Sequence, residues 1–149
     1  MAVARMVPGK IIIHCSATPD GREVSWGAIR RFHVEQRGWR DIGYHYGIEL
    51  VGDYYEILQG RFPDEEGAHC RGQNYDSIGV CLVGSFDEQP PPEAQIERAI
   101  HLVAWLCRRF VIPAKYVYGH REFDPKKTCP GAAFDLDKFR FLLRKEMGL

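Results

Sequence analysis

The chain has 149 residues, 45% of them hydrophobic and 27% charged, with 20 basic side chains balancing 20 acidic ones. That length buries a core without covalent staples and fits one compact domain. A formal net charge of zero argues against a domain that tracks a nucleic-acid backbone, which would carry a basic excess, so no nucleic-acid partner is expected.

The opening MAVARMVPGK lacks an apolar core of signal-peptide type, so no cleaved export signal is expected. No apolar run reaches the ~20 residues of a membrane span, and stable membrane association is not expected. KIIIHC is a short β-branched run and predicts a buried strand ending at His14 and Cys15. Ser25 is placed to cap a helix with Trp26, Ile29, Phe32, His33 and Gln36 on roughly one face, and Gly38 ends it. YHYGIEL and YYEIL flank VGD, a hairpin signature. After the polar loop RFPDEEGAHCRGQNYDS comes SIGVCLVG, a strongly apolar strand. QPPPE reads as proline punctuation rather than a domain boundary. Glu93 to Phe110 carries apolar residues at helical spacing, Pro113 follows, and KYVYGH predicts a last strand. A final helix from about Leu136 to Met147 would bury Leu136, Phe139, Leu142 and Leu143. The expected fold class is α/β: one domain over residues 1–149, its core at about 10–147, with a central mixed β-sheet flanked by helices.

His14 and His120 both fall where a strand opens into a polar loop, a common place for chemistry in α/β proteins. Taken singly, each reads first as a core histidine bonded to a carbonyl. Cys129 lies in the loop GHREFDPKKTCPG, bounded by prolines and able to fold back toward both. Two imidazoles and a thiolate make a zinc set of catalytic type with a fourth position for water, yet the spacing matches no local zinc-binding pattern. Cys15 is the rival ligand. Adjacent strand residues point to opposite faces, so Cys15, like Cys81 and Cys107, is read as a packed thiol. The five cysteines are an odd, scattered set, read as mostly free thiols. His45 is assigned to packing or a structural hydrogen bond, and His33 and His101 to helix surfaces or edges. Arg71 and Asn74, in the polar loop, either contact peptide carboxylates and carbonyls or belong to a solvated connection.

Four runs together carry a resemblance: IIIHCSAT, RRFHVEQRGWRDIGYHYGIE, GAHCRGQNYDSIGVCLVGS and GHREFDPKKTCPG. In this order they resemble the zinc-dependent N-acetylmuramoyl-L-alanine amidases (amidase type 2), above all the phage lysozyme or endolysin branch, which shares its fold with peptidoglycan recognition proteins. The resemblance spans about Lys10 to Leu143. It implies a hydrolase that cleaves the amide between N-acetylmuramic acid and L-alanine of peptidoglycan, with one Zn2+ per chain held by His14, His120 and Cys129. It implies Tyr44 and Lys127 as catalytic residues and His69 as a histidine lining the substrate groove. Tyr44 would orient water or shuttle its proton, and Lys127 would stabilise the developing oxyanion. The alternatives are a cytoplasmic muropeptide-recycling amidase and a non-catalytic peptidoglycan-binding module; the resemblance implies that such modules commonly lack the zinc cysteine, which is present here. Some phage lysozymes also bind and inhibit their phage's RNA polymerase, and no run in this sequence decides for or against that partner. An endolysin of this kind would be a monomer made in the host cytoplasm. It would reach the wall after release through a separate membrane-permeabilising protein. The basic, amphipathic final helix is expected to dock on the sheet rather than on a membrane.

Overall fold

The computed structural model describes residues 5–18 and 25–149; the first four residues of the N-terminal segment weighed above lie outside the described residues. KIIIHC forms β1 (Lys10–Cys15), and the expected hairpin forms β2 (Tyr46–Val51) and β3 (Tyr54–Gln59). SIGVCL forms β4 (Ser77–Leu82), and VYG forms β5 (Val117–Gly119). The sheet order is β3-β2-β4-β1-β5. Only β2 and β3 are antiparallel; the pairs β2–β4, β4–β1 and β1–β5 are parallel.

Strands β1 and β4 sit at the centre, so both faces must be covered, and β4 is buried along its whole length. On one face Ile11, Ile13, Ile78, Val80 and Leu82 pack against α2 (Glu93–Phe110) and α3 (Leu136–Glu146) to make the main core. Each fully buried Leu, Ile or Val there contributes about 1.5–3 kcal/mol. The opposite face presents Ile12 and His14 of β1, with Gly79 and Cys81 beside them on β4. It is covered by α1 (Trp26–Arg31) and by loops, through a small cluster of Ile29, Ile42 and Val83 with Trp26 and Tyr44. Gly47 leaves room there: a side chain would collide with the Trp26 ring.

Three expectations change in detail. Ser25 caps α1 as read, its hydroxyl accepting from Ala28 N–H, but after Arg31 the helix widens into a π-helical turn, Phe32–Gln36. The wider turn breaks the single apolar face, leaving Ile29 buried and Phe32 and Gln36 exposed. The last strand is shorter than KYVYGH, because Ala114–Tyr116 form a 3-10 turn and His120–Glu122 form another. Glu122 causes the second turn by accepting the Gly119 N–H at 2.9 Å, which lifts the chain off the sheet edge. In α3, Leu136, Phe139 and Leu143 are buried, whereas Leu142 is only half-buried.

Candidate active site

The parallel register brings the C-terminal ends of β1 and β5 side by side: Ile13 lies opposite Gly119, so His14 and His120 leave the sheet as neighbours. Their rings stand 4.7 Å apart, centroid to centroid. Cys129 returns to the same point, its Sγ 3.7 Å from His14 Nδ1. One ligand atom from each of His14, His120 and Cys129 lies within 4.8 Å of the others. Segments far apart in sequence thus supply two nitrogens and a sulfur to one small volume.

Arg121 secures the cysteine loop, a role the sequence did not reveal. Its backbone N–H donates to the Cys129 carbonyl at 2.7 Å, and its guanidinium donates to the carbonyls of Gly131 (2.6 Å) and Phe134 (2.8 Å). Gly131, at φ 129°, lies so close to the Phe86 carbonyl that no side chain fits. The Cys15 amide donates to Cys129 Sγ at 3.3 Å, which favours a thiolate. Against it, the neighbouring Cys15 thiol and burial push the Cys129 thiol up. A coordinated cation deprotonates such a thiol outright. Cys15 is partly buried against the helical core, yet its thiol also interacts with that of Cys129, so it faces the site more than its alternation with His14 predicted.

Burial, then the neighbouring imidazoles, hold His14 well below the usual histidine range, and burial lowers His120 as well. Both are therefore neutral near pH 7 and able to give a lone pair. The Tyr44 ring lies tilted against that of His14, centroids 5.2 Å apart. Burial, with the thiols of Cys81, Cys129 and Cys15 nearby, raises its hydroxyl well above the usual tyrosine value, so it stays protonated. Beside it a cavity of about 370 Å³ is lined by Ser16, Thr18, Ile29, Phe32, His33 and Tyr44. A larger cleft, about 600 Å³, lies between α2 and α3 around Ile96, Phe139 and Leu142, away from these residues. Lys127 is exposed, and its positive charge helps lower His120.

Two residues expected at the substrate also hold the structure together. Half-buried His69 brings its Nδ1 to within 2.8 Å of His14 Nε2, and its Nε2 faces the carbonyl and hydroxyl of Ser77, both at 3.3 Å. Asn74 braces the loop, its side-chain oxygen accepting the N–H groups of His69 and Cys70, each at 3.0 Å. Arg71 remains exposed on that loop. His45 is structural, as read: it accepts the Gly79 N–H at Nδ1 (2.9 Å) and its Nε2 donates to the Glu65 carbonyl (2.7 Å). His33 is more than a helix-edge residue, since its Nδ1 accepts the Gly43 N–H and its ring packs on Trp39 and Tyr44.

A mixed α/β sheet with a His-His-Cys cluster at its strand ends, next to a half-buried tyrosine, matches the architecture of an amidase. The family model for N-acetylmuramoyl-L-alanine amidase matches residues 4–132, and the chain belongs to that family. It is 37% identical to an endolysin of Enterobacteria phage K11 over 139 residues, covering 91% of this chain and 87% of the relative. Among solved structures it resembles the amidase LysC from Clostridium intestinale, at TM-score 0.82 and 26% identity over 97% of this chain and 93% of that one. It also resembles a mutant of Drosophila PGRP-LB in complex with tracheal cytotoxin, at TM-score 0.76 and 31% identity, covering 89% and 82%. The protein is a peptidoglycan amidase related to phage endolysins.

Proposed function

We propose that the protein is a zinc-dependent endolysin that hydrolyses the amide between N-acetylmuramic acid and L-alanine of peptidoglycan. The observation that carries this is the convergence of His14, His120 and Cys129 beside the protonated hydroxyl of Tyr44. Zinc suits two imidazoles and a thiolate, and three protein ligands leave a fourth position open. When bound, zinc supplies a water acidified to near neutrality and an electrophile for the carbonyl oxygen. The remaining work falls to the chain. His14 and His120 offer lone pairs because burial keeps them neutral, and the Cys15 amide steadies the thiolate. Tyr44 holds a proton at its hydroxyl and directs it into the site. Lys127 brings a positive charge to the carbonyl oxygen as negative charge develops there. The cavity beside Tyr44 accepts part of the substrate, and Arg71 reaches carboxylates of the stem peptide.

Among the described residues no helix is long and apolar enough to cross a membrane. In host lysis, a separate membrane-permeabilising protein would admit the enzyme to the wall, where it acts as a monomer. The test is incubation of the zinc-loaded protein with intact sacculi and with soluble muropeptides, followed by mass analysis. Release of free stem peptides from sacculi, with glycan strands left intact, is the expected result. Cleavage of soluble muropeptides alone would point instead to recycling, and no cleavage of either would overturn the proposal.

A further inference from the structure

The hydrogen bonds behind His14 fix where every proton lies. The Ser77 carbonyl only accepts, so His69 Nε2, 3.3 Å away, carries the proton. The Ser77 hydroxyl donates to the Gln73 carbonyl at 2.6 Å and is left to accept from the same Nε2–H. A neutral imidazole has one N–H, so with Nε2 protonated toward Ser77 its Nδ1 is a bare acceptor. His14 Nε2, 2.8 Å away, must then be the donor. That leaves the His14 lone pair on Nδ1, the nitrogen that faces Cys129 Sγ.

The place for His69 is built into the sheet. Its ring lies against Gly79 of β4, where an added Cβ would come 2.5 Å from the ring. Gly67 is equally close on the other side, 2.8 Å from the ring by the same measure, and its added Cβ would also crowd His45. Asn74 clamps the His69 backbone amide. The ring stands edge-on to His14, at 87°.

We propose that His69 is a positioning residue for the metal, one that sets the tautomer and orientation of His14 through a relay of Ser77, His69 and His14. The proposal rests on the zinc reading above. Partners of this kind orient a ligating imidazole and raise its basicity, and their loss costs about 10–100-fold in metal affinity. His69 acts on the metal through His14, which it meets at 2.8 Å.

The test is zinc affinity by competition with a chromophoric chelator, on wild type, His69→Ala, His69→Gln and Ser77→Ala, with long-range proton–nitrogen NMR of the His14 ring. The expected wild-type result is zinc bound with His14 protonated at Nε2. His69→Ala should bind zinc about 10–100-fold more weakly. His69→Gln, which keeps an acceptor oxygen, should recover part of the loss, and Ser77→Ala should show a smaller loss. Melting of the metal-free proteins separates this effect from unfolding: a merely structural role would lower melting in His69→Ala while leaving affinity in the folded protein unchanged, and would overturn the proposal. So would His14 protonated at Nδ1. Wild-type protein that binds no zinc would instead overturn the metal reading itself and this proposal with it.

Discussion

Burial keeps the Tyr44 hydroxyl protonated well past neutral pH, so the site has a proton donor that needs no charge of its own. Tyr44→Phe removes only that hydroxyl. It should retain zinc and fold while turnover falls by about 10²-fold or more, the range for a positioned proton-transfer group. Wild-type kcat on peptidoglycan would make Tyr44 a packing residue. Lys127→Ala should also keep zinc and lose about 10²–10³-fold in kcat, the effect of removing one group that stabilises developing negative charge. Lys126→Ala should be near wild type, because Lys127 is the lysine whose charge reaches His120; the reverse result would move the role by one residue. His45 gives a pH dependence with a definite sign. Burial lowers it from 6.5 to about 4. The unfolded chain therefore binds a proton that the folded chain refuses between those values, and stability falls as pH drops from about 6.5 to 4, by roughly 3 kcal/mol from this group. Denaturant midpoints should decline across that window more steeply in wild type than in His45→Gln, and equal slopes would remove His45 from the account.

Two elements hold the site from behind. Helix α3 buries Leu136, Phe139 and Leu143 in the main core, and its Arg140 donates to the Val117 carbonyl and to Glu122, bracketing the turn that starts at His120. Truncating one such side chain costs about 2–5 kcal/mol, against a total of about 5–15 kcal/mol for a domain. A chain ended after Gly131 should therefore be unfolded by circular dichroism. The full-length protein should leave anionic vesicles intact, because the apolar stripe is already occupied. The loop from Arg121 to Phe134 is the second element. Arg121→Ala frees the carbonyls of Gly131 and Phe134 and should weaken zinc binding more than it lowers melting; unchanged affinity would show that the loop holds without it. The elements themselves were readable, since apolar periodicity and caps are local, and the meeting of His14, His120 and Cys129 was anticipated from motifs. The role of His69 was not. It depends on Gly79 having no side chain and on which atom of Ser77 only accepts, and neither follows from composition or spacing. Arg121 was hidden for a similar reason, because its partners are carbonyls, which every residue has.

At the scale of the molecule, one face of the sheet supplies stability and the other supplies chemistry. The helical face is apolar and continuous, whereas the opposite face leaves β-strand glycines where rings must lie flat. This division lets the site accumulate buried histidines and thiols without breaking the main core. The strand order also fixes when the enzyme can become active. β1 is synthesised first, but its two neighbours are β4, beginning at Ser77, and β5, beginning at Val117. As the chain leaves the ribosome, only the β2–β3 hairpin can close locally. β1 waits, unpaired, for strands that pair with it across most of the sequence, and such non-local pairing is slow. Cys129 follows His14 by 115 residues, so the cluster cannot assemble before the chain has been made through that loop.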